Sequence, residues 1–155
     1  MRGRRQTPKD DVVKLPDEIH PELRERLERS QGGELASKMG IEFIELSAEY
    51  SVARMPVAGN TQTIGILHGG AHVVLGESLG SMSSAIHGGP GRFPVGIEIN
   101  ATHSRSTDRG WVTGTCRALV LGRTLCTHEI VMTDDEGRRL STVRMTNYLR
   151  ERRPN

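Results

Sequence analysis

Long apolar runs are missing from this sequence. No stretch is long enough to cross a membrane, and no secretory apolar segment follows Met1. A membrane partner is therefore not expected, and the expected compartment is the cytoplasm. Net charge is also small, at +2, and gives no ground for a nucleic-acid partner. Two segments, Arg2-Gly3-Arg4-Arg5 and Arg150-Glu151-Arg152-Arg153, are locally basic and read as solvated tails. Cysteine is limited to Cys116 and Cys126. They fall on successive predicted strands around a turn near Gly122, so a cross-strand pair is open. Two free thiols are the expectation in a reducing compartment. Aromatic residues make up 3% of the chain and apolar residues 35%. The low apolar share comes partly from the ends, which are dense in Arg, Glu, Lys, Pro and Gly. No internal repeat is visible.

What is present fits one domain, since 155 residues give enough chain for a real core. We divide the chain into an N-terminal extension with a short helix (1–33), a compact Gly-rich domain (34–149) and a basic tail (150–155). In the extension, Leu23 and Leu27 lie four apart among charges, which predicts a helix over 17–29 closed by Gln31-Gly32-Gly33. Residues 34–38 predict a short turn. Alternation of Ile41 with Phe43, and of Tyr50 with Val52, predicts strands over 39–46 and 49–56.

The longest candidate helix runs from His68 to about Ile86. Apolar and small residues wrap around it, so it should be buried on most sides. Gly76 and Gly80 lie inside it. A helical glycine costs about 1 kcal/mol against alanine, so something should pack very close there. Four strands follow, over 93–105, 110–120, 124–134 and 138–149, with turns at Gly110, Gly122 and Asp134-Asp135-Glu136-Gly137. The acidic turn lacks the partners of a calcium loop. The predicted layout is α+β: two strands, a long helix, then a four-strand antiparallel meander, with one sheet wrapped around the helix.

The chemistry concentrates between Gln62 and Ser81. Gly76-Glu77-Ser78-Leu79-Gly80 matches the spacing of a nucleophile elbow, and His68-Gly69-Gly70 resembles a lipase oxyanion loop. An elbow needs a strained strand-to-helix turn, and Ser78 instead follows a full helical run. His68 and His72 share a helix face, but Glu77 is not placed to complete a zinc motif. No metal is expected.

Glu77 is the carboxylate that stands out on this helix. Such a group is costly in apolar surroundings unless it is paired or used. Ser81 lies one turn on, where its hydroxyl could hold the carboxylate or a water. At the helix start, the Gly69 and Gly70 N–H groups stand at the positive end of the dipole, a natural place to polarise a carbonyl oxygen. Gly69 and Glu77 are eight residues apart, or about 12 Å along the axis, while a reacting atom must lie about 3 Å from both groups. Two antiparallel copies of the helix would bring them together, so the chemistry suggests a two-fold dimer with composite sites. The interior glycines and serines would then admit close approach of the two helices.

The stretch GILHGGAHVVLGESLGS at 65–81 resembles the hotdog-fold acyl-CoA thioesterases. The likeness is to the branch of the 4-hydroxybenzoyl-CoA thioesterases of the Arthrobacter type and the 1,4-dihydroxy-2-naphthoyl-CoA hydrolases. VGIEINATHSRS at 95–106 and LGRTLCTHEIVMTDDEGRRLSTVRM at 121–145 extend the resemblance to most of the chain. It implies a six-stranded antiparallel sheet around the central helix, and a homodimer paired again into a homotetramer. It implies hydrolysis of an acyl-CoA thioester, with an aromatic acyl group suggested by the nearest relatives. Glu77 would be the catalytic carboxylate, as nucleophile or general base. Ser81 would be the supporting hydroxyl, Gly69 the carbonyl-polarising amide, Gln62 a helper at the thioester and His68 the motif histidine. Coenzyme A contacts would fall on Gly96, on His103, Ser104, Arg105 and Ser106, and on the turn Val120, Leu121, Gly122, Arg123, Thr124 and Leu125. Arg105 and Arg123 would be its phosphate partners. No cofactor is implied beyond the coenzyme A of the substrate. A family proline is Ser106 here, and the N-terminal extension has no counterpart in the pattern. Two rivals are an acyl-CoA hydratase on the same fold and a non-catalytic acyl-CoA-binding regulator.

Overall fold

The computed structural model describes residues 12–30 and 32–152. The basic segment Arg2–Arg5, and Gln31 and Arg153, lie outside the described residues. Two helices come first, α1 (Pro21–Ser30) and α2 (Gly33–Met39). Strands β1 (Glu42–Leu46) and β2 (Tyr50–Pro56) lead to the long helix α3 (Gly69–Gly88). Strands β3 (Arg92–His103), β4 (Trp111–Leu121), β5 (Leu125–Thr133) and β6 (Arg139–Glu151) complete the fold. The stretch expected as a turn after Gly33 is thus a helix. The last strand runs two residues past Leu149, so Arg150 and Glu151 extend the sheet where a tail was expected.

All six strands form one antiparallel sheet in the order β1-β2-β4-β5-β6-β3. Helix α3 packs against every strand of it. This agrees with the hotdog fold that the resemblance implied. The expected four-strand meander is corrected to three, β4-β5-β6. Strand β3 instead pairs with β6, from Arg92 opposite Glu151 to His103 opposite Ser141, and forms the outer edge. Alternation along a strand fixes which face is buried, not which strand lies beside it. Gly110 and Gly137 both take φ of 75° at their turns, a conformation glycine adopts without a Cβ penalty. In the acidic turn, Asp134 Oδ1 accepts the N–H groups of Glu136 and Arg138, and Oδ2 accepts from Arg138 Nε. The carboxylate is thereby used within the turn.

Helix α3 buries one face, carrying Ala71, His72, Leu75, Gly76, Leu79 and Gly80. Its other face is open: Val73, Val74, Ser78, Ser81 and Met82 are half-buried and Glu77 is exposed. The expectation of burial on most sides is therefore corrected for the single chain. Of the helix serines, Ser78 and Ser81 lie on the open face, while Ser83 and Ser84 bond toward the sheet. Ser83 Oγ is 2.7 Å from Ser51 Oγ, and Asn147 Nδ2 donates to Ser84 Oγ at 3.2 Å.

The helical glycines face the sheet. A Cβ at Gly76 would stand 2.8 Å from Val143 Cγ1, and one at Gly80 would stand 3.0 Å from Met145 Sδ. The close approach is helix on sheet, not helix on helix. This separates two substitutions that helix propensity treats alike. Val143 is fully buried and stiff at its branched Cβ. Gly76→Ala should therefore destabilise the fold by about 1–3 kcal/mol of overpacking, less the ~1 kcal/mol propensity gain. Met145 is unbranched at Cβ and can yield, so Gly80→Ala should be neutral or stabilising. Urea unfolding of the two variants checks this, and a stabilised Gly76→Ala would refute the close packing.

Cys116 pairs with Ile130 and Cys126 with Leu121, so the thiols are not cross-strand neighbours. Both are free and buried. Burial pushes the Cys116 thiol up to about 12 and raises that of Cys126 as well. Among the described residues, no helix is long and apolar enough to cross a membrane.

Residues before β1 are tied to the domain. Lys14 N–H donates to Ile44 O, and Leu46 N–H donates to Lys14 O. Leu23 and Leu27 of α1 are buried, as their spacing predicts.

Candidate functional site

The start of α3 is pinned by its neighbours. Leu67 N–H donates to Thr107 O at 2.8 Å and His68 N–H donates to Asn60 O at 2.9 Å. His68 is the N-cap: its Nδ1 accepts the Gly70 N–H at 2.9 Å. The motif histidine therefore holds the helix end, one of the groups a helix leaves unsatisfied. Ala71 N–H donates to His68 O. Among the described residues, no hydrogen bond occupies the Gly69 N–H. A Cβ on Gly69 would lie 2.8 Å from His103 Nε2, so glycine is what lets β3 come so close.

Around this end lies a hollow of about 330 Å³. Gln62, Gly69, His103, Ser104, Arg105 and Ser106 line it. Gln62 is exposed and its backbone is fixed by its N–H to Ile66 O and by Gly65 N–H to its own carbonyl. His103 Nδ1 is 2.9 Å from Ser141 Oγ, which also reaches Thr102 O. His72 is buried with its ring centroid 5.4 Å from that of His103. Burial, and then the charge of His103, hold it down to about 4, so it is neutral at pH 7.

Glu77 faces a different hollow, of about 400 Å³. Ser78, Ser81, Met82 and Ala85 of α3 line it with Glu77. Ser81 shares the cleft, as its position one turn on predicted, but no hydrogen bond joins it directly to Glu77 among the described residues. Ser78 Oγ donates to Val74 O at 2.8 Å in mid-helix, with no strained turn around it. Gly96 of β3 lies across from the carboxylate: a Cβ there would be 3.3 Å from Glu77 Oε1. Glu77 itself enters no ion pair or hydrogen bond among the described residues.

The expected site residues thus fall into separate groups on one chain. Gln62, His68 and Gly69 stand with His103–Ser106 at the N-terminal end of α3. Glu77, Ser81 and Gly96 stand midway along it. The turn Val120–Leu125 lies at the far end, where His87 Nε2 is 2.9 Å from Gly122 O and Arg92 Nη1 donates to Arg123 O. One part of the Glu77 cleft was not foreseen. Arg26, Leu27 and Ser30 of α1 form a wall of it, and Phe93 and Arg152 line it as well. The buried Leu23–Leu27 stripe was the available signal, because a helix fixed by that stripe turns its neighbours toward the domain.

Known proteins are similar to this chain in sequence and fold. The thioesterase superfamily profile matches residues 64–141, from the loop before α3 into β6. Proofreading thioesterase EntH of Cronobacter turicensis is 42% identical over 123 residues, covering 79% of this chain and 90% of the relative. Among solved structures, a mutant form of thioesterase PA1618 from Pseudomonas aeruginosa superimposes with a TM-score of 0.76 at 37% identity, covering 83% of this chain and 94% of that one. Thioesterase HI1161 from Haemophilus influenzae gives a TM-score of 0.72 at 31% identity, over 76% of this chain and 82% of that one. Fold, motif helix and relatives agree, and the chain belongs to the thioesterase superfamily.

Proposed function

We propose that the protein hydrolyses acyl-CoA thioesters, with Glu77 as nucleophile or general base. The observation that carries this is a carboxylate with no structural partner among the described residues, standing in an open cleft on the motif helix. An exposed Glu held by no ion pair has no evident role in stability, and an unpaired carboxylate facing a cleft is suited to attack a carbonyl or activate a water. The Gly69 N–H at the helix start would polarise that carbonyl, and the tetrahedral intermediate would expel coenzyme A as the thiolate.

We further propose that the two groups come from different subunits of a homodimer, paired again into a tetramer. Support comes from their separation into two hollows of one chain. Support also comes from the edge strand β3, which among the described residues pairs on one side only, with Val95 at 39% and Ile97 at 58% exposure. A long apolar edge of this kind is a template for another chain. Coenzyme A would then contact His103–Ser106 and Arg105 of one subunit, with Gly96 and the Val120–Leu125 turn carrying Arg123 completing its path. The acyl group is aromatic in the branch that the sequence resembles. EntH is described as a proofreading enzyme, and this favours a panel of acyl groups over a single guess.

A thiol-release screen over aromatic and aliphatic acyl-CoAs tests the reading. Hydrolysis yields one free coenzyme A thiol per acid formed. A product hydrated across C2–C3 with no thiol released would establish the hydratase instead. Tight binding of acyl-CoA without any turnover would establish a regulator.

A further inference from the structure

The N-terminal extension has no part in the reaction proposed above, yet it forms a wall of the cleft that holds Glu77. Leu23 and Leu27 anchor α1 at 1% and 8% exposure. That anchoring places Arg26 on the cleft. Arg152, just past the end of β6, lines the same cleft. Its N–H donates to Gly91 O at 3.0 Å, and its guanidinium carbon lies 6.0 Å from the Phe93 ring centroid. Neither guanidinium forms an ion pair among the described residues, although each of the other two arginines of α1 does. Glu22, one turn before Arg26, does not come within ion-pair distance of it.

Two like charges line one hollow and neither is in an ion pair among the described residues, so they repel each other; the carboxylates nearby are Glu77 on the same cleft and Glu22, which acts on Arg26 from beyond ion-pair distance. The basicity of Arg26 is lowered, first by burial and then by Arg152, against a smaller raising effect of Glu22. An anion held between the two would relieve this and accept charge-assisted hydrogen bonds from both. The same hollow has apolar walls from Leu27, Met82, Ala85 and Phe93, beside the hydroxyls of Ser30, Ser78 and Ser81. Such walls suit the body of an acyl chain.

We propose that Arg26 and Arg152 recognise a carboxylate at the far end of the acyl group, so that the enzyme selects acyl chains with an anionic end. This rests on the reading of the Glu77 cleft as the thioester site. The phosphates of coenzyme A are the other anions of the substrate. They sit a full pantetheine arm from the sulfur, whereas the acyl chain begins at the carbon that Glu77 serves. The extension then supplies specificity to a reaction whose machinery lies wholly in the domain that follows it.

The test uses the full chain and thioesters of N-acetylcysteamine, which carry no phosphate. The 4-carboxybenzoyl thioester is compared with its 4-carbamoylbenzoyl isostere by kcat/KM. The wild type should prefer the carboxylate. Arg26→Gln and Arg152→Gln should each reduce that preference about tenfold, the scale of one hydrogen bond to a charged group. Arg26→Lys should keep most of it, and Arg26→Glu should reverse it. Equal preference in wild type and variants overturns the proposal. So does a variant effect that appears with coenzyme A thioesters and vanishes with N-acetylcysteamine thioesters, because the arginines would then hold phosphate. A calorimetric arm needs no turnover: 1,4-benzenedicarboxylate should bind the wild type at least tenfold tighter than the Arg26→Gln/Arg152→Gln protein. If no thioester is cleaved but this difference is found, the hydrolase reading falls and the anion site stands. If binding is unchanged in the double variant, the anion site falls.

Discussion

Glu77→Gln should lower kcat by about 10³-fold, within the range that a positioned acid–base group supplies, while fold and assembly are kept. The side chain is exposed in the single chain and has no ion pair or hydrogen bond among the described residues. Loss of its charge therefore breaks nothing that holds the fold. Glutamine keeps the shape and some polarity, so substrate should still enter and KM should change little. What disappears is the nucleophile and the base together. Steady-state kinetics on the best substrate of the screen give the number. Circular dichroism and sedimentation show whether fold and assembly persist. Turnover within a few-fold of wild type would refute the central reading, and a protein that unfolds would assign Glu77 a structural role that its open position does not suggest.

Most of the fold was legible because the elements are patterned strongly. Alternation at Ile41/Phe43 and Tyr50/Val52 marked β1 and β2, and the glycines at 110 and 137 marked turns that the φ angles confirm. The order of strands was less legible. Nothing in the alternation of β3 says that its neighbour is β6, since the pairing depends on where α3 releases the chain. The direction of Gly76 and Gly80 was hidden for a related reason. A helix with apolar or small residues all around gives no moment to orient it, so the close approach could be to a sheet or to another helix. Only the opposing Val143 and Met145 decide it.

The site was legible in its parts and not in its assembly. Gly69 and Glu77 stand eight residues apart on one helix, a spacing that excludes a shared carbonyl within it, and the chain places Glu77 in one hollow and Gly69, with Gln62, in another. The burial assigned to Glu77 does not hold for one chain, because the face of α3 that carries it is left uncovered. The arginine wall was signalled only indirectly, by the Leu23–Leu27 stripe. The charges of α1 read as a solvated face, and only the seating of Leu23 and Leu27 turns one of them inward. A periodicity shows that a helix is amphipathic without showing what lies beyond its apolar stripe.

A heterodimer built from two inactive chains should regain activity. Glu77 and the Gly69 N–H lie about 12 Å apart along one helix, so a composite site takes its carboxylate from one subunit and its amide from the other. One chain carries Glu77→Gln. The other carries Gly69→Pro, which removes the N–H. Proline suits the first position of a helix, and His68 already holds the extended ψ of 131° that a residue before proline prefers. The His103 ring stands where the new side chain must go, so His103→Ala accompanies Gly69→Pro, and both lesions stay in the same half of the site. Each homodimer should be impaired by about 10²-fold or more, the scale of losing one donor to the oxyanion. The heterodimer carries one site with every lesion and one site with none. Mixing and refolding should therefore restore about half of the wild-type activity per heterodimer, as two-fold symmetry requires. Native mass measurement counts the heterodimers, and unmixed controls give the background. Heterodimers that form and remain as inactive as their parents would mean that each chain builds its own site, and the antiparallel arrangement of the two helices would be wrong.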